Sequence, residues 1–168
     1  MATRSGLLKW FPDFFERYGA FTVFDLLVDY LKSGRIKIDR TKISSRIAYH
    51  DPCNYGRKSE EAFGQAFYNE PRWILSKLTS NWTDFYPCRG NQFCCGGGGG
   101  TLLTPYKEER FIYGQKKIDQ IKRSKANLIV VPCHSCHGQI KTLLQNAEME
   151  KIEVKYLWQV VAEALILD

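Results

Sequence analysis

Six cysteines carry the reactive chemistry of this chain: Cys53, Cys88, the adjacent pair Cys94-Cys95, and Cys133-x-x-Cys136. Thiolates are soft ligands that select iron–sulfur clusters, zinc or copper(I). Held close together they repel one another, so they need a cation among them and donors aimed at the sulfurs. The run Gly96 to Gly100 can supply those donors. A backbone without side chains approaches closely, and successive N–H groups form an anion-binding concavity. A helix expected after Cys136 would add its N-terminal amides, and hydrogen bonds to sulfur help set a cluster's potential. The adjacent pair says most. Neighbouring side chains rarely point into one zinc tetrahedron, whereas they readily bridge or ligate different irons of a larger cluster.

Simpler readings compete at each motif. Cys133-x-x-Cys136 alone also serves zinc or thioredoxin-like chemistry. With His137 it spells a c-type haem attachment site, but haem attachment requires export and would leave Cys53 and Cys94-Cys95 without a role. Four of the thiolates would make a structural Cys₄ zinc site, and zinc stands as the alternative metal. Cys88 is by default a small apolar side chain. His50 orients the loop before Cys53 or lines a cofactor site, and His134 and His137 flank the last thiolates as donors to the sulfurs. The glycine run is not a phosphate loop, because Thr101-Leu102 follows where Lys-Ser/Thr is required.

The segments that must position these residues alternate between strand-like and helix-like. Phe21, Phe24, Leu27, Val28 and Leu31 recur at helical spacing before Gly34. Arg46 to Tyr49 reads as a short strand that ends in His50-Asp51-Pro52-Cys53. A polar turn over Asn54 to Arg57, a helix from Glu60, and a second helix opening at Asn69-Glu70-Pro71 follow. Thr83 to Tyr86 is a weak strand, and Lys107 to Lys125 a charged helix. Leu128 to Val131 is apolar without alternation, as in a strand buried on both faces. Ile140, Leu143, Leu144 and Ala147 form another helical stripe, Ile152 to Tyr156 a strand, and Leu157 to Leu165 a closing helix. The expected fold is α/β, a mostly parallel sheet flanked by helices. Residues 1–40 form an N-terminal helical extension and residues 41–168 the cysteine-bearing domain. In open sheets of this kind ligands bind beyond the carboxyl ends of the strands, so Cys53 and Cys133 can meet at one end although they lie far apart in sequence.

With 168 residues, 44% of them hydrophobic, the chain suits one domain with a core of its own, and needs no metal merely to offset small size. The net charge of +6 favours acidic partners in general. The Lys and Arg residues are scattered, which argues against nucleic acid, and the pairs Lys116-Lys117 and Lys122-Arg123 read as a solvated helix face. No apolar run is long enough for a membrane span, and the N-terminal residues do not form a secretory signal. The expected location is cytoplasmic, where clustered cysteines bind metal or catalyse rather than pair as disulfides.

The pattern Cys53, Cys94-Cys95-Gly96, Cys133-x-x-Cys136, with the flanks Tyr49-His50-Asp51-Pro52 and Val130-Val131-Pro132, resembles the cysteine-rich CCG domain of heterodisulfide reductases. The likeness runs from about residue 20 to residue 166 and extends to iron–sulfur proteins of membrane redox complexes, among them the catalytic component of the complex associated with dissimilatory sulfite reductase. The resemblance implies a noncubane [4Fe-4S] cluster on Cys53, Cys94, Cys95, Cys133 and Cys136, with Gly96, Gly97, Gly98 and His50 around it. It implies reductive cleavage of a sulfur–sulfur bond at that cluster, with Cys94, Cys95 and Cys133 as the cysteines of the reaction. The implied partners are a ferredoxin-like iron–sulfur domain or subunit, a quinone-interacting cytochrome subunit in the membrane, and a small protein bearing a disulfide or trisulfide. The chain would then lie on the inner face of the membrane through its complex. Two departures stand out: the CCG protein of heterodisulfide reductase carries two such motifs and this chain one, and this chain lacks the ferredoxin-like run of closely spaced cysteines found in single-motif relatives.

Overall fold

Four short strands meet in one parallel sheet: β1 (Ile47–Tyr49), β2 (Trp82–Asp84), β3 (Leu128–Val131) and β4 (Glu153–Tyr156), in the order β2-β1-β3-β4. The computed structural model describes residues 2–167. Among the described residues, eight α-helices complete the fold: α1 (Ala2–Trp10), α2 (Pro12–Tyr18), α3 (Val23–Lys32), α4 (Arg57–Phe63), α5 (Asn69–Leu78), α6 (Lys107–Ser124), α7 (His134–Asn146) and α8 (Leu157–Glu163). The architecture is the α/β fold read from the sequence, with helices at the N-terminus.

Alternate strand residues feed two cores. Ile47, Tyr49, Leu128 and Val130 pack with Phe24 of α3, Ile74, Leu75 and Leu78 of α5, and Leu157, Val160 and Val161 of α8. Ala48, Ile129, Val131 and Val154 face the other way, against Ile118 and Ile121 of α6 and Ile140, Leu143 and Leu144 of α7. Burial on both sides is why Leu128–Val131 carries no polar residue. α6 comes unusually near α7 at Gly114, where an added Cβ would lie 2.2 Å from Leu143 Cδ2.

The chain leaves β1 for β2, returns across β1 to β3 and continues outward to β4. β1 and β3 are therefore neighbours whose connections diverge, the arrangement that opens a crevice beyond the strand ends. The loops after β1 and β3 hold Cys53 and Cys133.

Several boundaries differ from those read in the sequence. β2 spans Trp82–Asp84 rather than Thr83 to Tyr86, because its partner β1 ends at Tyr49, opposite Asp84. α4 begins at Arg57, three residues before Glu60, where Ser59 and Glu60 N–H groups bond to the Gly56 carbonyl. α7 begins at His134, so Cys136 lies inside the first turn rather than ahead of the helix. The aromatic N-terminal segment does not fill the core: Trp10, Phe11, Phe14, Tyr18 and Phe21 are exposed, and only Phe24 is buried.

Candidate metal centre

The sulfurs of five cysteines meet at the carboxyl end of the sheet. Cys53 follows β1, Cys94-Cys95 lie in the loop after β2, Cys133 follows β3 directly, and Cys136 is on α7. The contacts run as an unbroken chain. Cys94 stands between Cys53 and Cys95, near enough for each to act on its thiol. The Sγ atoms of Cys95 and Cys136 are 3.3 Å apart, and Cys136 bonds to Cys133. Cys95, Cys133 and Cys136 are buried, Cys53 is half-buried, and Cys94 is exposed. Cys88 stands outside this chain, capping the short 3₁₀ turn Arg89–Asn91.

The sulfurs divide into two anionic centres and their donors. Hydrogen bonds from Cys53 and Cys95 hold the Cys94 thiol far below its usual range, with the Gly96 N–H adding to them. A hydrogen bond from Cys136, aided by the N–H groups of Cys136 and Ser135 and by Asn54, brings Cys133 down to about 6 against the opposing effect of burial. The converse holds for the donors. Cys53 is driven upward first by its bond to Cys94 and then by burial. Cys136 is raised by its bonds to Cys133 and Cys95 and by burial. Cys95 is lowered by Cys136, but its bond to Cys94 and its burial push it up to about 12. Thiolates of this kind are metal ligands and nucleophiles.

The glycine loop serves these sulfurs directly. Gly96 N–H lies 3.3 Å from Cys94 Sγ and Gly97 N–H 3.4 Å from Cys95 Sγ. Gly96 takes a φ of +83°, open to glycine at little cost. Gly97 is pressed on α7: a Cβ there would stand 2.6 Å from Gln139 Cβ and 2.7 Å from the Ser135 carbonyl oxygen. Thr101 Oγ1 donates to the carbonyls of Gly96 and Gly98 at 2.8 and 2.9 Å and ties the loop down. Gly98 itself has free space where a Cβ would go. Gly97→Ala should therefore lower apoprotein stability by about 1–3 kcal/mol through overpacking. Gly98→Ala should stay within about 0.5 kcal/mol of the parent. Equal thermal melting of the two variants would show that the loop is not clamped as described.

His50 is fully buried, and neither Nδ1 nor Nε2 has a hydrogen-bond partner. A nitrogen of His50 and the sulfurs of Cys95 and Cys136 all lie within 4.8 Å of one another. Burial, and then the Lys117 ammonium, hold the imidazole well below its usual basicity. Buried imidazoles with no partner at all are rare, so these nitrogens mark a place for a group not made of protein. His134 and His137, expected beside the sulfurs, turn instead towards Tyr156: His134 Nδ1 bonds to its hydroxyl, 2.5 Å away, and His137 stacks on its ring while Nε2 bonds to the Val154 carbonyl at 3.1 Å.

Three buried cations near the site escaped the sequence reading. Arg72 of α5 donates two hydrogen bonds to Asp51, at 2.9 and 2.7 Å, and one to Asp84 at 3.0 Å, joining the ends of β1 and β2. Asp51 also accepts the Arg89 N–H at 2.7 Å. Arg110 donates to Gln139 Oε1 at 2.6 Å. Lys117, expected on a solvated face, is wholly buried. A helical stripe of Arg110, Gly114, Lys117, Ile118 and Ile121 is visible in the sequence once the Lys117 stem is counted as apolar.

A cavity of about 1040 Å³ opens on Cys53 and Cys94. Its lining includes the cations Arg57, Lys58, Arg110 and Lys116 against one carboxylate, Glu109, together with Phe93, Tyr106 and Tyr113. Among the described residues, no helix is long and apolar enough to cross a membrane.

Comparison with known proteins agrees with this geometry. The cysteine-rich domain family known as CCG matches residues 47–141, the stretch from β1 into α7. The chain is 30% identical to a probable membrane-anchored ferredoxin of Chromohalobacter salexigens, over 80% of this chain and 19% of that protein. It is 26% identical to one of the subunits of fumarate reductase (CoM/CoB) from Methanothermobacter marburgensis, over 88% of this chain and 28% of that one. With one of the subunits of dihydromethanophenazine:CoB–CoM heterodisulfide reductase from Methanosarcina barkeri the identity is 26%, over 83% and 32%. The chain thus spans less than a third of the length of these relatives. No solved structure matches significantly. The match extends from the first strand through the last of the clustered cysteines, and the chain belongs to the CCG family of cysteine-rich domains.

Proposed function

We propose that this chain is an iron–sulfur electron-transfer protein of the heterodisulfide reductase type, holding a noncubane [4Fe-4S] cluster on Cys53, Cys94, Cys95, Cys133 and Cys136. Residues 41–168 form the cluster domain and residues 1–40 its helical extension. The observation that carries the reading is the gathering of five cysteines beyond the ends of β1, β2 and β3, with the sulfurs of Cys95 and Cys136 3.3 Å apart and the others acting on one another's thiols. Five thiols exceed what a tetrahedral zinc requires, and a cluster of several irons takes ligands from adjacent residues such as Cys94 and Cys95. The orphaned nitrogens of His50 and the N–H groups of Gly96 and Gly97 fit a sulfur-rich anionic group in the same place.

When bound, such a cluster supplies electrons one at a time. The reaction we infer is disulfide plus two electrons and two protons giving two thiols, with a trisulfide as the variant substrate. The protein's share lies in the cavity. Its opening at Cys53 and the exposed Cys94 admits a substrate sulfur to the edge of the centre, while Cys95, Cys133 and Cys136 stay shielded from water. Lys58 and Lys116 at the wall, with Arg110 behind them, attract an acidic substrate. Gly96 and Gly97 hold negative charge on Cys94 and Cys95 with their amides. The electrons would come from a ferredoxin-like domain or subunit and a quinone-interacting cytochrome subunit, in keeping with relatives named as a membrane-anchored ferredoxin and as an EtfAB:quinone oxidoreductase.

A second reading has its own observation. His50, Cys95 and Cys136 stand close enough to share one ion, and with Cys133 they would make a zinc site in a module that docks partner subunits. Anaerobic purification separates the two. A brown protein with several irons and sulfides, broad visible absorption and a paramagnetic signal on redox treatment is expected. A colourless protein with one zinc per chain would replace the cluster by the module.

A further inference from the structure

The charge of Lys117 has no carboxylate to answer it. Its ammonium donates to Gln120 Oε1 at 2.5 Å and lies 4.9 Å from the centroid of the Phe85 ring. Gln120 in turn donates through Nε2 to the Pro87 carbonyl at 3.1 Å, so the lysine is held against the loop that leads to Cys94. Among the described residues, no carboxylate oxygen comes within 4.0 Å of it. The other buried cations differ. Arg72 is matched by two carboxylates, and Arg110 sits at the wall of the open cavity. Burying an ammonium without an anion is strongly unfavourable. Phe85, which the ammonium stands over, packs in one buried cluster with Cys95 and Cys136, so Lys117 borders the cysteine centre; Cys94 is anionic as it stands, Cys95 and Cys136 become so as ligands, and Asp51 is already engaged by Arg72.

We propose that Lys117 is the buried counter-charge of the cysteine centre, a fixed cation that raises the reduction potential of the cluster and thereby selects the electron donors able to reduce it. The proposal rests on the cluster reading above. Adding an electron makes the assembly more negative, so a fixed positive charge inside the same low-dielectric region stabilises the reduced form more than the oxidised one. The neighbouring Lys116 cannot do this from the cavity wall, where water screens it. Lys117 touches no substrate; it acts through the centre.

The test uses the full chain, loaded with iron and sulfide under anaerobic conditions, as wild type and as Lys117→Met, Lys117→Gln and Lys122→Met. Lys117→Met keeps the length of the side chain, Lys117→Gln also keeps a polar partner for Gln120, and Lys122 is an exposed control on the same helix. Apoprotein melting and iron content are measured first, then the midpoint potential by redox titration followed by paramagnetic resonance. Both Lys117 variants are expected to fold and to take up as much iron as wild type. Their reduction equilibrium should shift at least tenfold towards the oxidised form, about 59 mV for one electron, while Lys122→Met should not move. An unchanged potential in both loaded Lys117 variants overturns the proposal and leaves the cluster reading standing. So does loss of the apoprotein fold, or of iron with the fold intact, in both variants, since the lysine would then serve structure or assembly. A wild-type chain that takes up no iron overturns both readings.

Discussion

Cys95→Ser should fold and yet lose the metal centre. Cys95 is the middle link of the sulfur chain, in contact with Cys94 on one side and 3.3 Å from Cys136 on the other. It is only 2% exposed, so water cannot replace the missing thiolate. A serine hydroxyl occupies less space and remains protonated, a hard and weak ligand for iron. Losing a group that merely orients a metal ligand costs roughly 10–100-fold in affinity. Loss of a ligand itself should exceed about 100-fold, leaving only traces of iron and sulfide after anaerobic reconstitution. Cys88→Ser, outside the chain of contacts, should bind iron as the parent does. Full iron loading in Cys95→Ser would remove this cysteine from the ligand set and the five-cysteine cluster with it.

The largest effect on stability is expected at Arg72. Replacing it with methionine leaves the Asp51 carboxylate, 3% exposed, with only the Arg89 N–H, and cuts the tie between β1 and β2. Removing one partner of a buried ion pair costs about 3–5 kcal/mol, a large part of the ~5–15 kcal/mol that holds a typical domain together. Denaturant unfolding should show it as a lower midpoint with little change in slope. Adding Asp51→Asn should restore part of the loss, because the residue left behind no longer carries a charge. A single variant within about 1 kcal/mol of the parent would mean that Asp51 finds water or another donor. Because Asp51 lies two positions before Cys53, iron uptake should weaken alongside stability.

The parts of the fold legible in the sequence are those set by local pattern. Leu128-Ile129-Val130-Val131 forms a strand over the expected residues, since an apolar run that short fits a doubly covered strand and little else. The convergence of Cys53, Cys94, Cys95, Cys133 and Cys136 followed from the rule that loops at one end of a parallel sheet gather, together with their place after the strands. What escaped depends on partners distant in the chain. Arg72 looks like any helix-surface arginine until Asp51 and Asp84 are brought to it by β1 and β2. Lys117 is buried against Phe85 and Gln120, and neither is signalled by a Lys-Lys pair. The early start of α7 was hidden for another reason. Cys133 is not a usual N-cap residue, yet it stands at the N-cap in extended conformation without a capping hydrogen bond from its side chain.

The three loops that bring the sulfurs together share no local hairpin; the parallel register of β1, β2 and β3 unites them. During synthesis Cys53 emerges about 80 residues before Cys136, and the strands between them pair out of sequence order. Non-local pairing of this kind is slow compared with helix formation. The nascent chain therefore has no half-built five-cysteine site on the ribosome, and a metal group would enter a finished acceptor, unlike a zinc finger, in which metal and fold arrive together.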